Sequence, residues 1–585
     1  MATNTKLENL RHSCAHLLAA AVIELWPKTK RTIGPATNDG FYYDFDFGAQ
    51  KLSDEDLLKI EKKMRQILQA WKGFEGREVS LDEAKKLYKD NAYKLELIDE
   101  FSKEGQKLTV YKSGEYEDLC RGGHTDDPKE SIANFKLLSI AGAYWRGKSD
   151  NQMLTRIYGT CFPTKAELEK YLKQLEEAKE KDHRKIGKEL DLFSISEEVG
   201  QGLILWLPKG TIIREELEAW AKQTEKQWGY QRVSTPHITK SGLYYTSGHL
   251  PYYKATMYPP MKVNDTEEYY LKPMNCPHHH MVYASRLRSY KELPLRLAEY
   301  GMVYRYEASG ELFGMMRVRG IAQNDAHIYC TEDQAVDEFV SVMKLHEYYY
   351  KSLGIEDYHL ELALRDPKNK EKYHGDEAMW KKAEDLMRKA VSKLDIEMVE
   401  QIGNAAFYGP KIDFIIHSSI GREFGISTNQ IDLYMGDRFG LKYVDKDGQH
   451  KTPVIIHRAP LGSHERFVGF LIEHWGGAFP AWLSPVQVAI LPIAEKNLAY
   501  ARSVSESLSK KDIRVELGEA NETLSAKIRK AQLLKIPYMV IVGDKEEKAK
   551  SVAVRLRTGE DLGSIPLDKF EERLDDKIKA KKLDL

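Results

Sequence analysis

Lys272-Pro273-Met274-Asn275-Cys276-Pro277 begins the stretch that decides how this chain is read. Arg305-Tyr306-Glu307, the glycine-bearing loop with Gly310 and Gly314, Arg317-Val318-Arg319-Gly320 and Gln323-Asn324-Asp325-Ala326-His327 continue it as far as Cys330. A thiol, an imidazole, three arginines and two carboxylates sit there among β-prone segments. The planar fork of arginine suits bidentate recognition of phosphate or carboxylate. Cysteine and histidine are typical ligands for a borderline-soft cation such as zinc. Their presence in one stretch suggests one pocket doing both. The plain alternative is a buried Cys and His beside a solvated charged face.

Working outward, 585 residues are enough for several domains, each with its own core. Hydrophobic residues at 42% and charged residues at 30% describe a soluble globular protein. A net charge of −1 gives no global attraction to a polyanion, so contact with nucleic acid must use local basic patches. Cys14, Cys120, Cys161, Cys276 and Cys330 are odd in number and widely spaced, which argues for a reducing compartment. The N-terminus is polar and lacks an apolar signal core, and no apolar run approaches a membrane span. The reading is a cytoplasmic protein with no membrane partner.

In chain order, Leu7 to Leu25 has helical periodicity and carries His12 and His16 on one face. Thr32 to Phe47 reads as strand, turn, strand, with Asn38-Asp39-Gly40 as the turn. Helices are expected over Ser53–Trp71 and Leu81–Tyr88. Asp118-Leu119-Cys120-Arg121-Gly122-Gly123-His124 then places Cys and His four apart on a glycine-containing turn. The two pairs could form a four-ligand zinc site, or a metal-free pocket in which imidazoles activate water. Thr164 to Ile186 reads as an exposed connecting helix with basic residues near its end.

Beyond it, Pro208-Lys209-Gly210 reads as a turn and Ile212–Trp228 as a long amphipathic helix. Strands are expected at Tyr230–Ile238, with Pro236 marking an edge or interface, and at Tyr269–Lys272, Met302–Tyr306, Arg319–Tyr329, Lys411–His417 and Val454–Ile456. An isolated helix, Asp333–Leu353, breaks the series. Long irregular connections favour a mostly antiparallel sheet with flanking helices. There is no GxxxxGK[ST] loop, so side chains must bind phosphate. From Ser484-Pro485 onward, strands at Val486–Leu491, Arg514–Leu517, Tyr538–Val542 and Val552–Leu556 alternate with helices at Lys496–Ser509 and Leu524–Leu534. This reads as a compact α/β domain.

With these motifs in order, MNCP at 274–277, the 304–320 run, QNDAHIYC at 323–330, AFYGPKIDF at 406–414, HRAPLGSHERF at 457–467, HSCAH at 12–16 and CRGGH at 120–124, the chain resembles the bacterial-type threonyl-tRNA synthetases of class II. The resemblance implies an α+β multidomain fold. An editing domain would span 1–163, a linker helix 164–187, a class II catalytic domain 188–483 and an anticodon-binding domain 484–585. It implies ATP-dependent activation of L-threonine, transfer to tRNA(Thr), and hydrolysis of mischarged seryl-tRNA. It also implies a homodimer.

Carried over position by position, Cys276, His327 and His457 would hold one zinc per chain, with an open position for the threonine amino and hydroxyl groups. Asp325 would take the ammonium group, and Met274, Tyr408 and Gln430 would shape that pocket. Arg305 would bind the α-phosphate and substrate carboxylate, Glu307 would read adenine, and Arg466, in the run from Gly462 through Ser463, would meet the adenine face and γ-phosphate. Arg317, Gln323 and Lys411 would hold substrate and adenylate, with Mg2+ accompanying ATP. Serine lacks only a methyl group, worth about 1–3 kcal/mol, so a second hydrolytic site is expected. His12, His16, Cys120 and His124 would line it, with Lys94, Asp118 and Tyr43 beside them, and ordered water rather than a metal would do its work. Asn521, Glu546 and Arg555 would contact anticodon bases.

The chain also departs from the family pattern. Only about ten residues precede His12, where many bacterial relatives carry a small extra domain. Ile321 stands where a phenylalanine often stacks on adenine, His278 where glycine is common, Asn324 for an aspartate and Gly123 for a proline. None removes a catalytic side chain. A non-catalytic tRNA-binding module would have lost Arg305, Arg466 or a zinc ligand, and a stand-alone deacylase would lack the adenylation motifs.

Overall fold

The computed structural model describes residues 2–585 except 38, 149, 370–371, 395, 419–422 and 520. Asn38 of the expected turn lies outside the described residues. The chain divides into two compact units, Met1–Glu176 and Glu177–Leu585.

In the first unit, helix α1 (Ala2–Leu25) buries Leu10, Cys14, Leu17, Leu18, Ala21 and Val22. Each large aliphatic side chain removed from water contributes about 1.5–3 kcal/mol. Its partners in the core include Phe41 and Phe45 of β1 (Gly40–Asp46) and Ile60 and Met64 of α2 (Asp54–Leu68). β1 pairs antiparallel with β3 (Met153–Cys161), which pairs with β2 (Phe135–Tyr144). The strand expected from Thr32 is broken into Lys30–Arg31, Ala36–Thr37 and β1. Gly34-Pro35 interrupts it, since proline cannot donate to a ladder. A separate three-stranded sheet, Glu75–Glu78, Thr109–Ser113 and Tyr116–Leu119, delivers Asp118 and Cys120.

The second unit begins within the expected connecting helix. That helix is two: α3 (Lys165–Lys181) and α4 (His183–Glu189). Asp182 caps the second by accepting from the Arg184 N–H at 2.8 Å, and His183 and Ile186 are buried, not exposed. Pro208-Lys209-Gly210 is not a turn but the first turn of α5 (Pro208–Gln227). Proline at the first helical position loses no hydrogen bond and is pre-set for helical φ.

Eight strands form the central sheet, in the order β4 (Gln231–Arg232), β5 (Leu295–Tyr304), β6 (Gly320–Cys330), β11 (Val454–Ala459), β10 (Glu423–Asp432), β9 (Lys411–His417), β7 (Tyr358–Leu364), β8 (Met398–Ile402). All pairings are antiparallel except the two outermost, β4 with β5 and β7 with β8. One face packs on α6 (Glu332–Ser352), α7 (Glu377–Val391) and α8 (His464–Trp475), through Phe339, Val342, Leu386, Phe467 and Leu471. The helix expected at Asp333–Leu353 between strands is present as α6. The expected strand at Tyr230–Ile238 is only β4 plus Ile238–Lys240, with Pro236 between them.

The C-terminal segment is an α/β sheet in the order Val515–Leu517, Val488–Pro492, Tyr538–Val542, Ser551–Leu556, Asp561–Pro566. Its first three strands are parallel, as the strand–helix alternation requires.

Candidate active site

Strand alternation puts Gln323, Asp325 and His327 on one face of β6. Across the ladder, His327 is opposite His457, His457 opposite Gln430, and Gln430 opposite Lys411. Four side chains far apart in sequence thus form one row. Cys276 opens a helix, Cys276–Ala284, with proline in its first turn. The ligand atoms of Cys276, His327 and His457 lie within 4.8 Å of one another, and all three residues are buried.

Neighbouring groups fix both histidine tautomers. Glu299 Oε2 accepts from His279 Nε2 at 3.1 Å, so His279 Nδ1 is left to accept from His327 Nδ1 at 2.8 Å. His327 Nε2 is then bare, buried and without a protein partner. His457 Nε2 donates to Asp432 Oδ2 at 3.0 Å, leaving Nδ1 bare. Asp432 Oδ1 is held by the Tyr434 and Met435 N–H groups at 2.7 and 2.9 Å. Bare nitrogens backed by carboxylates, beside a thiol, are donors that could hold a soft dication such as zinc with a position left open.

These residues line a cavity of about 500 Å³ shared with Arg305, Gln323, Asp325, Tyr408, Lys411, Ser463 and Arg466. Asn275 Nδ2 donates to Asp325 Oδ2 at 3.0 Å, and burial raises the Asp325 pKa. Tyr408 donates to Gln430 Oε1 at 2.6 Å. Met274 Sδ lies 3.1 Å from His249 Nε2. Arg305 donates to the Pro273 carbonyl at 3.2 Å. Arg466 donates to the Met316 and Gly425 carbonyls at 2.8 and 2.7 Å. Burial first, then repulsion from Arg305 and Arg317, lowers Arg466 to about 10. Two arginines that repel each other form a ready anion site. Arg317 bridges Glu307 and Glu311, both at 2.9 Å, closing the loop that carries them. Ser463 caps α8 and bridges to Gln323, while Lys411 pairs with Asp413.

A second cavity, of about 680 Å³, lies in the first unit and includes His12, His16, Tyr43, Lys94, Asp118 and Cys120. His12 Nε2 is 3.1 Å from Cys120 Sγ, which is 3.3 Å from His124 Nε2. His12 Nδ1 faces the Gly34 carbonyl at 3.3 Å. His124 stacks on Phe74 at 3.9 Å and is not among the residues that line the cavity. Burial lowers the pKa of His12 and His16, takes His124 to about 3 and pushes the Cys120 thiol up to about 11. Asp118 is buried, which alone would raise its pKa, but Lys94 at 2.8 Å and Arg31 at 3.1 Å hold it well below the usual carboxylate range. Tyr43 donates to its other oxygen at 2.6 Å.

Residues 258–475 match the tRNA synthetase class II core domain (G, H, P, S and T). Residues 487–577 match the anticodon binding domain, and residues 108–158 the threonyl and alanyl tRNA synthetase second additional domain. The threonine–tRNA ligase of Staphylococcus aureus (strain JH9) is 48% identical over 577 residues, covering 98% of this chain and 89% of that protein. The chain belongs to the threonyl-tRNA synthetase family. Among solved structures, the RNA binding domain of threonyl-tRNA synthetase from Cryptosporidium parvum Iowa II superposes with TM-score 0.64 at 36% identity, over 68% of this chain and 98% of that one. The putative threonyl-tRNA synthetase ThrRS-1 from Aeropyrum pernix gives TM-score 0.60 at 29% identity, over 69% and 96%. The activity is threonine–tRNA ligation by a class II core, with an editing domain and an anticodon-binding domain.

Within this synthetase, the anticodon candidates are less gathered than the other sets. Asn521 lies exposed in a loop, Arg555 on strand Ser551–Leu556, and Glu546 accepts from the Gly543 N–H at 3.0 Å within its own helix. Sequence reasoning missed His279, Glu299 and Asp432, which orient His327 and His457; the His278-His279-His280 run was the only local signal. Two departures have structural reasons. Gly123 has φ +80°, which proline cannot adopt. Asn324 Nδ2 donates to Glu225 Oε1 at 2.8 Å, where an aspartate would oppose a second carboxylate.

Proposed function

We propose that Cys276, His327 and His457 hold one zinc per chain, which when bound supplies a Lewis-acid position for the amino and hydroxyl groups of threonine. The observation that carries this reading is the convergence of three buried donors on the same sheet face as Asp325, Gln430 and Lys411. Valine offers no hydroxyl to that position, so an unfilled polar site rejects it. Asp325, oriented by Asn275, receives the ammonium group. Met274, Tyr408 and Gln430 close around the side chain. Arg305 and Arg466 flank the α- and γ-phosphates of ATP, which arrives with Mg2+. Glu307 reads adenine, and Arg317, Gln323, Lys411 and Ser463 hold the substrates. The threonine carboxylate attacks the α-phosphate, and positioning plus charge stabilisation supply most of the acceleration. The terminal ribose of tRNA(Thr) then takes the threonyl group.

Serine passes this pocket, because one methyl group separates it from threonine. His12, His16, Cys120 and His124, with Lys94, Asp118 and Tyr43, hold and activate the water that hydrolyses seryl-tRNA. Asn521, Glu546 and Arg555 are assigned to the anticodon. This reading keeps domain limits of 1–163, 164–187, 188–483 and 484–585, with the break between compact units at Glu176–Glu177 inside the connecting segment. The edge strand Gln231–Arg232, followed by Pro236, supports a homodimer built on that edge. Use of a thiol as a metal ligand supports a reducing, cytoplasmic setting. No described helix is long and apolar enough to cross a membrane. The test is pyrophosphate exchange with threonine, serine and valine compared. Strong exchange with threonine, minor exchange with serine and none with valine is expected; equal exchange with valine would overturn the zinc reading.

A further inference from the structure

Asp182, His183 and Glu473 bring potential ligand atoms within 4.8 Å of one another in a buried setting. They are not a metal set, because both ring nitrogens of His183 are committed. Nδ1 donates to Glu473 Oε1 at 2.7 Å, and Nε2 accepts from the Met315 N–H at 3.0 Å. Met315 lies in the loop between Arg305 and Arg317. One residue further on, the Met316 carbonyl accepts from Arg466 Nε at 2.8 Å. Arg466 and Glu473 lie on the same helix, α8. The contacts therefore form a closed ring: Arg466, the Met315–Met316 backbone, His183, Glu473 and back to α8. Gly314 completes the fit. Its φ is +50°, and a Cβ there would fall 2.1 Å from His183 Nε2. Phe313 packs edge-on against the same imidazole at 5.6 Å.

We propose that His183 is a positioning residue for ATP: it fixes the loop between Arg305 and Arg317 against α8, and through that loop aims the Arg466 guanidinium. It does so without touching substrate. The inference rests on the assignment of Arg466 to the ATP phosphates. Removing the imidazole leaves the Met315 N–H without its acceptor and takes from Glu473 its 2.7 Å contact. The loop then loses this tie to α8, and Arg466 keeps the Gly425 carbonyl but loses the fixed position of the Met316 carbonyl, one of the two that orient it.

The test is threonine-dependent pyrophosphate exchange by the full-length enzyme, with KM for ATP and for threonine measured separately. His183→Ala should raise KM for ATP about tenfold, the scale of one buried hydrogen bond, and leave KM for threonine within about twofold. His183→Gln places an amide oxygen near the position of Nε2 and should recover most of the ATP affinity. His183→Asn reaches only the position of Nδ1 and should not. Gly314→Ala should mimic His183→Ala, and its effect should shrink in the His183→Ala background. An ATP KM within twofold of wild type in folded His183→Ala overturns the proposal. So does an equal rise in both KM values, or equal rescue by Gln and Asn, which remains decisive if the alanine variant fails to fold. Arg466→Ala separates the two claims. If it retains exchange, the ATP-site assignment fails; if it loses exchange while His183→Ala is normal, only the role of His183 fails.

Discussion

The pocket around Cys276 and the pocket around Cys120 use the same residue types but hold their imidazoles differently. In the first, each of the two histidines beside Cys276 leads back to a carboxylate: His327 through His279 to Glu299, His457 directly to Asp432. Such backing raises ligand basicity and favours a dication. In the second, His12 leads to the Gly34 carbonyl, and His124 to the Ser13 hydroxyl at 3.3 Å. The nearby carboxylate, Asp118, is already neutralised by Lys94 and Arg31. Both pockets gather thiol and imidazole, yet only the core pocket supplies negative charge behind its ligands. On the proposed reading, charge behind the donors, rather than the donors themselves, is what would separate a site for a cation from a site for water.

The largest effect expected from this contrast is at the core. His327→Ala removes a ligand, and zinc content of the purified protein should fall below stoichiometry with threonine exchange reduced about a thousandfold or more. Normal zinc and normal exchange would break the comparison at its first term. Next is the editing pocket. His12→Ala combined with His16→Ala should slow deacylation of preformed seryl-tRNA about 10²–10⁴-fold, the range of a lost general base. Threonine exchange should stay near wild type. Unchanged deacylation would make the N-terminal unit a tRNA-docking domain.

A smaller effect tests the carboxylates alone. Asp432→Asn keeps the shape of the His457 contact but removes its charge. Zinc affinity in a competitive chelator titration should fall about 10–100-fold. The matching change in the other pocket, Asp118→Asn, should leave metal content unaltered. If both variants shift metal content alike, the distinction drawn here between the pockets is wrong.

Cys276 and His327 were legible because they fall within one stretch, and alternation along β6 placed Asp325 beside His327. His457 lies far along the chain on another strand, and only the family resemblance supplied it. His279, Glu299 and Asp432 were illegible for a physical reason: their roles depend on ladder register and ring tautomer, which no local pattern encodes. Strand Glu423–Asp432 was missed because both faces carry polar residues, Thr428, Gln430 and Asp432 on the site face and Ser427 and Asn429 on the other, so the apolar–polar alternation that marks a strand is absent. His183 read as the basic end of an exposed helix; a single capping residue, Asp182, turned it inward instead. The connecting helix had no proline or glycine there to announce the break.

The smallest expected effect is a pH dependence that separates water activation from metal binding in the editing pocket. A histidine acting as base must be neutral. An ordinary imidazole, with pKa about 6.5, loses half of that form at pH 6.5. Burial lowers His12 and His16, and His124 to about 3. The neutral form therefore persists as pH falls through 6.5, and the base is lost only below it. Single-turnover deacylation of seryl-tRNA, corrected for spontaneous ester hydrolysis, should stay within about twofold between pH 7.5 and 6, where an unshifted histidine would lose more than half its rate. The same rates should be indifferent to a chelator that strips zinc from the core pocket. A midpoint at or above 6.5 would mean that the histidines are solvated like free imidazole. Chelator sensitivity would mean that a cation sits on Cys120 despite the missing carboxylates, and that burial alone suffices to bind it.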